Sequence, residues 1–186
     1  MSERRMATGT RILSTAAELF SGHAYADVSV DQIAQDAGIT KMTFYQYFRS
    51  KDELALECLR FRLKRREEEL DEFLAKLAPG VDPLLAVFDW LQHWLDPRHF
   101  KGCTFVKAVN ELSEVLPAVE EIAVEAKQRI RKRFVALARS SGRGRSGELG
   151  QELALLFEGA QSLALVEGSA RPARVAKRIA AILLES

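Results

Sequence analysis

VSVDQIAQDAGITKMTFYQYFRSK, residues 28–51, contains three helix starts in close succession. Ser29 suits an N-cap, because its short side-chain oxygen can accept from the open amides of a first helical turn. Gln32, three residues on, completes a capping box, and Val28 and Ile33 stand at the spacing of a hydrophobic staple. Gly38 can turn left-handed at no side-chain cost, which ends a helix. Thr40 is the next cap, with Ile39 and Phe44 as its staple pair. Ser50 is the third, with Glu53 completing its box. The pattern predicts a helix over about 30–37, a tight turn at Gly38-Ile39 and a second helix over about 41–47, the sequence form of a helix-turn-helix.

The second short helix has two faces. Phe44 and Phe48 are four residues apart and should share one side, turned into a small core. Lys41, Met42, Thr43, Tyr45 and Gln46 are left facing out. Such a face suits a DNA major groove: Gln can read an adenine edge, Lys a guanine, and Thr a base or a phosphate. A three-helix subdomain with no nucleic-acid role has the same spacing, so the residues alone leave both open.

Residues 8–55 carry RIL…AAELF, SVDQIA, AGIT, TFYQYF and SKDEL in that order. In these motifs the chain resembles the N-terminal domain of TetR-family transcriptional regulators. The resemblance implies that Ser29, Tyr45 and Lys51 contact phosphates. It implies that Lys41, Met42, Thr43 and Gln46, next to the capping Thr40, face the bases. Met42 stands where the family often has Gly, so its thioether is placed to press on a thymine methyl. Ala24 stands where Gly often precedes the aromatic Tyr25. The implied partners are double-stranded DNA with a palindromic operator, a small-molecule effector and a second copy of the chain.

Composition is that of a globular protein, 47% apolar and 28% charged over 186 residues. The net charge is only +1. Residues 1–51 carry six basic groups (Arg4, Arg5, Arg11, Lys41, Arg49, Lys51) against five acidic (Glu3, Glu18, Asp27, Asp31, Asp36). DNA affinity must therefore come from where the charges sit and from doubling by a dimer. MSERRMATGT lacks the apolar stretch of a signal peptide, and no apolar run approaches the length of a bilayer span. The expected location is the cytoplasm, with no membrane partner and with Cys58 and Cys103 reduced. No metal-ligand spacing, nucleophile elbow or phosphate-binding glycine loop occurs, so no enzyme, metal or cofactor is expected.

The rest of the chain reads as helices throughout. A first helix is expected over about 10–21, after a solvated Ser-Glu-Arg-Arg tail. A long helix follows from Ser50 to about Leu77, then further helices over about 82–95, 103–115, 117–139, 148–167 and 172–184. SSGRGRSG, residues 140–147, has the composition of a flexible loop. The expected fold is all-α. A three-helix helix-turn-helix domain (1–50) is joined by a long helix to a helical ligand-binding and dimerisation domain (51–186).

An apolar pocket with a few convergent polar groups is the usual small-molecule site. Phe61, Phe88, Trp90, Trp94, Phe105, Asn110, Phe134, Phe157 and Gln161 are the candidates for lining one. An aromatic stripe at helical spacing is also what an ordinary core looks like. Leu156, Ala160, Ala164, Val175 and Ile179 are candidates for a dimer interface, because the last two helices are apolar on more than one side and small residues let a neighbour approach. The function expected is a sequence-specific DNA-binding regulator, a repressor released from its operator by a small, largely apolar ligand. The alternative is a helical small-molecule-binding or interaction protein of the same fold without operator binding.

Overall fold

The computed structural model describes residues 3–185. Every regular element among them is helical. The order is α1 (Glu3–Gly22), a 3-10 turn (Tyr25–Asp27), α2 (Val30–Asp36), α3 (Lys41–Tyr47), α4 (Lys51–Ala75), α5 (Pro83–Trp94), α6 (Thr104–Leu112), α7 (Ala118–Ser140), α8 (Ser146–Glu167) and α9 (Arg171–Glu185). Helix α1 opens earlier than the sequence suggests. Ser2, in the expected tail, lies outside the described residues, and Glu3–Arg5 belong to α1. Glu and Arg are good helix formers, and the Arg5 guanidinium lies over the Tyr47 ring, 5.7 Å from its centroid.

Packing divides the chain into two units. The first comprises the residues up to Arg65 together with Thr104–Ala123, and the second Arg66–Cys103 with Val124 onward. The sequence boundary at 50/51 falls where α4 begins. The packing boundary falls inside α4, because its first half gives Leu54 and Cys58 to the N-terminal core.

In the first unit the expected caps form. Ser29 accepts from the Gln32 amide at 3.1 Å, Thr40 from the Thr43 amide at 3.1 Å, and Ser50 from the Glu53 amide at 3.0 Å. Gly38 has φ 62°, the left-handed value that ends α2. Its amide donates to the Gln35 carbonyl and that of Ile39 to the Ala34 carbonyl, a Schellman closure that satisfies two open carbonyls. Ala24 has φ −64° and ψ 146°, an extended conformation that needs no glycine. Ile12, Ala16, Ile33, Phe44, Phe48, Leu54 and Cys58 form the core. Burying a side chain such as Phe44 contributes roughly 1.5–3 kcal/mol.

The second unit packs α9 against α8 and α5. Asp82 caps α5, accepting from the Leu84 amide at 2.8 Å with Pro83 behind it, where a missing N–H costs nothing. The SSGRGRSG stretch is shorter as a loop than its composition suggests, since α7 runs to Ser140 and α8 starts at Ser146. Helices α7 and α8 approach closely at Gly150, where an added Cβ would lie 2.9 Å from the Val135 amide nitrogen. The core is aromatic: Phe88 lies 5.6 Å from Phe134, and Phe157 lies 6.5 and 6.1 Å from those two rings.

Candidate nucleic-acid interface

Helix α3 stands on Phe44 and turns the other way a face of Lys41, Met42, Tyr45 and Gln46, all exposed. Met42 is 75% exposed and Tyr45 50%. Thr43 is half-buried, its hydroxyl 2.9 Å from that of Thr40, so this pair serves the helix start first. Ser29 is exposed at the start of α2. Lys41 does not point freely outward. Its ammonium donates to Asp31 of α2 at 2.9 Å, and this hydrogen bond pushes its pKa up.

Lys51 is placed differently from a free phosphate ligand. Its ammonium donates to the carbonyls of Tyr25 and Val28, both at 2.9 Å, and sits 4.0 Å from the centre of the Tyr25 ring. Two of its three N–H groups thus hold the Tyr25–Val28 segment. Tyr25 is fixed from three sides. Its hydroxyl donates to Asp52, and its amide donates to the Glu111 carboxylate at 2.8 Å. Burial pushes its phenol pKa up, and the Asp52 carboxylate adds to the shift. Lys107 of α6 closes the end of α1, donating to the carbonyls of Phe20 at 2.9 Å and His23 at 2.7 Å. A cation over the last carbonyls of a helix also suits its dipole.

Of the nine expected ligand residues, Phe88, Trp90, Trp94, Phe134, Phe157 and Gln161 gather in the second unit. Phe61, Phe105 and Asn110 belong to the first unit, with Asn110 exposed on the outside of α6. A small cavity of about 30 Å³ in the first unit touches none of the nine; Phe20, Cys58, Leu59 and Ala108 are among its lining. On the expected dimer surface, Ala160 and Ala164 are buried within the chain, in the core that α9 covers, because they lie on the inner stripe of α8. The outer stripe is Leu155, Leu163 and Val166, continued on α9 by Ile179 and Ile182, all exposed. Leu156 and Val175 are half-buried.

The family model for bacterial regulatory proteins of the tetR family matches residues 12–58, the segment that builds this face. MftR of Mycobacterium tuberculosis, a transcriptional regulator whose name links it provisionally to mycofactocin biosynthesis, is 43% identical over 114 residues. Residues 12–58 are thus similar to the TetR type of DNA-binding segment. The MftR alignment covers 60% of this chain and 58% of MftR. The HTH-type transcriptional regulator EthR of Mycolicibacterium smegmatis is 36% identical over 76 residues, 41% of the chain and 34% of EthR. The alignments thus span between about a third and three fifths of those relatives' lengths. The crystal structure of a TetR regulator from Chloroflexus aurantiacus matches with a TM-score of 0.82 over 100% of the chain and 98% of its own. That pair is 22% identical, so this likeness speaks for the fold alone.

Several residues that shape this site carry no signal in the sequence. Asp31, Lys107 and Glu111 read as solvated charges on helical faces. They meet Lys41, the end of α1 and Tyr25 only through contacts 10 and 84 to 87 positions apart. Arg66 is equally hidden, one cation in a basic run of α4. In the structure its guanidinium lies among Trp90, Trp94 and Phe157.

Proposed function

We propose that the chain is a sequence-specific DNA-binding repressor that acts as a homodimer and leaves a palindromic operator when a small, largely apolar ligand binds its second unit. The observation that carries this is the α3 face. Lys41, Met42, Tyr45 and Gln46 stand exposed on a helix fixed by caps at both preceding turns. Gln46 and Lys41 supply base-reading groups, and Ser29, Tyr45 and the remaining N–H of Lys51 supply phosphate contacts. Two such helices about 34 Å apart fit successive major grooves, which requires a dimer. The outer stripe of α8 and α9 supplies an apolar surface for one. A regulator of this kind works beside the chromosome, in the cytoplasm.

The experiment is a set of anisotropy titrations with the DNA upstream of the chain's own gene and with random duplex. Gln46→Ala and Lys41→Ala are expected to relax discrimination by roughly 1–3 kcal/mol each. Equal affinity of the unmutated protein for both duplexes would favour the alternative, a ligand-binding protein of this fold without an operator. In sedimentation, Leu163→Glu and Val166→Glu are expected to leave folded monomers, since each would put an unpaired carboxylate into an apolar contact. Ala164→Glu is expected to unfold the chain, because Ala164 is internal.

A further inference from the structure

The second unit sets a cation against an aromatic face. Arg66 of α4 projects between α5 and α8, its guanidinium carbon 5.8 Å from the centre of Trp90, 4.6 Å from Trp94 and 5.2 Å from Phe157. Trp90 lies nearly parallel to Trp94 and to Phe157, at 10° and 9°, so the three rings make one wall. Ring faces attract a cation but leave its N–H groups without acceptors. Burial lowers the Arg66 pKa, and Cys103, Glu158 and Glu69 offset this through space. The partner in reach is Gln161, whose Oε1 accepts from Arg66 at a long 3.4 Å.

Gln161 is itself incomplete. It is 2% exposed, and its Nε2 is buried without a partner. One helical turn earlier, Glu158 gives one oxygen to Lys127 and leaves Oε1 buried and unpaired. Buried polar groups in native proteins are nearly always satisfied, and the exceptions mark strain or an absent partner. Here an unpaired donor and an unpaired acceptor lie one helical turn apart, and the amide that carries the donor also accepts from Arg66 beside the aromatic rings.

We propose that Arg66 and Gln161 anchor the acid group of the effector, which is therefore a small carboxylic acid with a flat apolar body. This rests on the ligand-responsive regulator proposed above. A carboxylate has two coplanar acceptor oxygens that match the guanidinium fork. It also accepts from the Gln161 amide, and it neutralises the cation. The apolar body continues the ring wall, and a hydroxyl on it can donate to Glu158. A neutral amide leaves the charge uncompensated, and an ammonium is repelled.

The test is calorimetric titration of the full chain with benzoate, 4-hydroxybenzoate, phenylacetate and cyclohexanecarboxylate, each against its primary amide. At least one acid is expected to bind more tightly than its amide by about tenfold or more, since a site built to pair with a charged group rejects analogues that leave it unpaired. Arg66→Met is expected to erase that preference. Met keeps the length and the apolar stem that pack against the rings. Gln161→Leu is expected to weaken acid binding while leaving the unliganded melting temperature unchanged or higher, because it removes an unpaired donor. Equal binding of acids and amides, acid binding that survives Arg66→Met, or no acid bound at millimolar concentration would each overturn the proposal. DNA anisotropy on the same preparation separates the two levels. A protein that binds its upstream DNA but ignores acids loses only this inference, whereas one that does not bind DNA loses the regulator itself.

Discussion

Asp31 holds the ammonium of Lys41 at 2.9 Å across the helix-turn-helix, so the first residue of α3 is already engaged before DNA arrives. Both side chains are largely exposed, and an ion pair of this kind is weak in water. Its effect on binding is larger than its effect on stability. Lys41 must leave Asp31 to reach a base, and Asp31 brings a negative charge toward a polyanion. Asp31→Asn is therefore expected to tighten binding to every duplex several-fold at low salt, with the gain shrinking as salt screens it. Anisotropy titrations across a salt series check this. Unchanged affinity would place the pair outside the contact surface.

Lys51 is expected to matter for stability as well as for DNA. Lys51→Met removes the donor to two carbonyls of the Tyr25–Val28 segment. Hydrogen bonds from a charged group contribute about 1.5–3 kcal/mol each, less where solvent can replace them. A loss of about 1–3 kcal/mol in urea unfolding is expected, together with weaker binding to specific and random DNA alike. Normal stability with weakened binding would assign the residue to phosphate alone.

Gly150→Ala is expected to destabilise the second unit. The new Cβ meets the Val135 backbone, which cannot rotate away. Overpacking of this kind costs about 1–3 kcal/mol. For a chain of this size that lowers the melting temperature by roughly 2–4 °C per kcal/mol. DNA affinity measured well below the transition should not change.

How much of this was legible beforehand differs by residue. The caps at Ser29, Thr40 and Ser50 act within three positions, and each was readable because donor and acceptor lie on the same turn. Phe44 was readable from helical spacing. Lys51 was placed at the interface by the family's motif, yet its two carbonyl partners lie 26 and 23 residues away and no local pattern encodes them. Ala160 and Ala164 looked like contact residues because small side chains suit a close approach. They do serve one, within the chain rather than between copies. Helix α8 is apolar on more than one face, and periodicity alone does not say which face meets which partner.

The Cys58 thiol gives a pH signature. It is buried, its Sγ is 3.6 Å from the Leu13 carbonyl, and burial pushes its pKa up to about 12. In an unfolded chain a thiol ionises near 8.5. Below that pH both states keep the proton and Cys58 adds no slope. From about 8.5 to about 12 the unfolded chain loses a proton that the folded chain keeps, so stability falls as pH rises. Cys58→Ala is expected to flatten that part of the unfolding curve, at the expense of a small cavity. Identical alkaline slopes in the two proteins would contradict the burial.

Lys107 and Glu111 make the reading head dependent on a distant part of the chain. They close the end of α1 and hold the Tyr25 amide, yet they arrive on α6, well past the segment that carries the family's motif. That segment is consequently a poor cassette for transplantation. Spliced onto a foreign partner, residues up to Arg65 would leave the carbonyls of Phe20 and His23 and the amide of Tyr25 without these partners, with Lys51 and Asp52 still gripping the loosened turn. A chimera that swaps operator preference between relatives has to carry α6 along, so in this protein the unit of exchange is discontinuous in the gene.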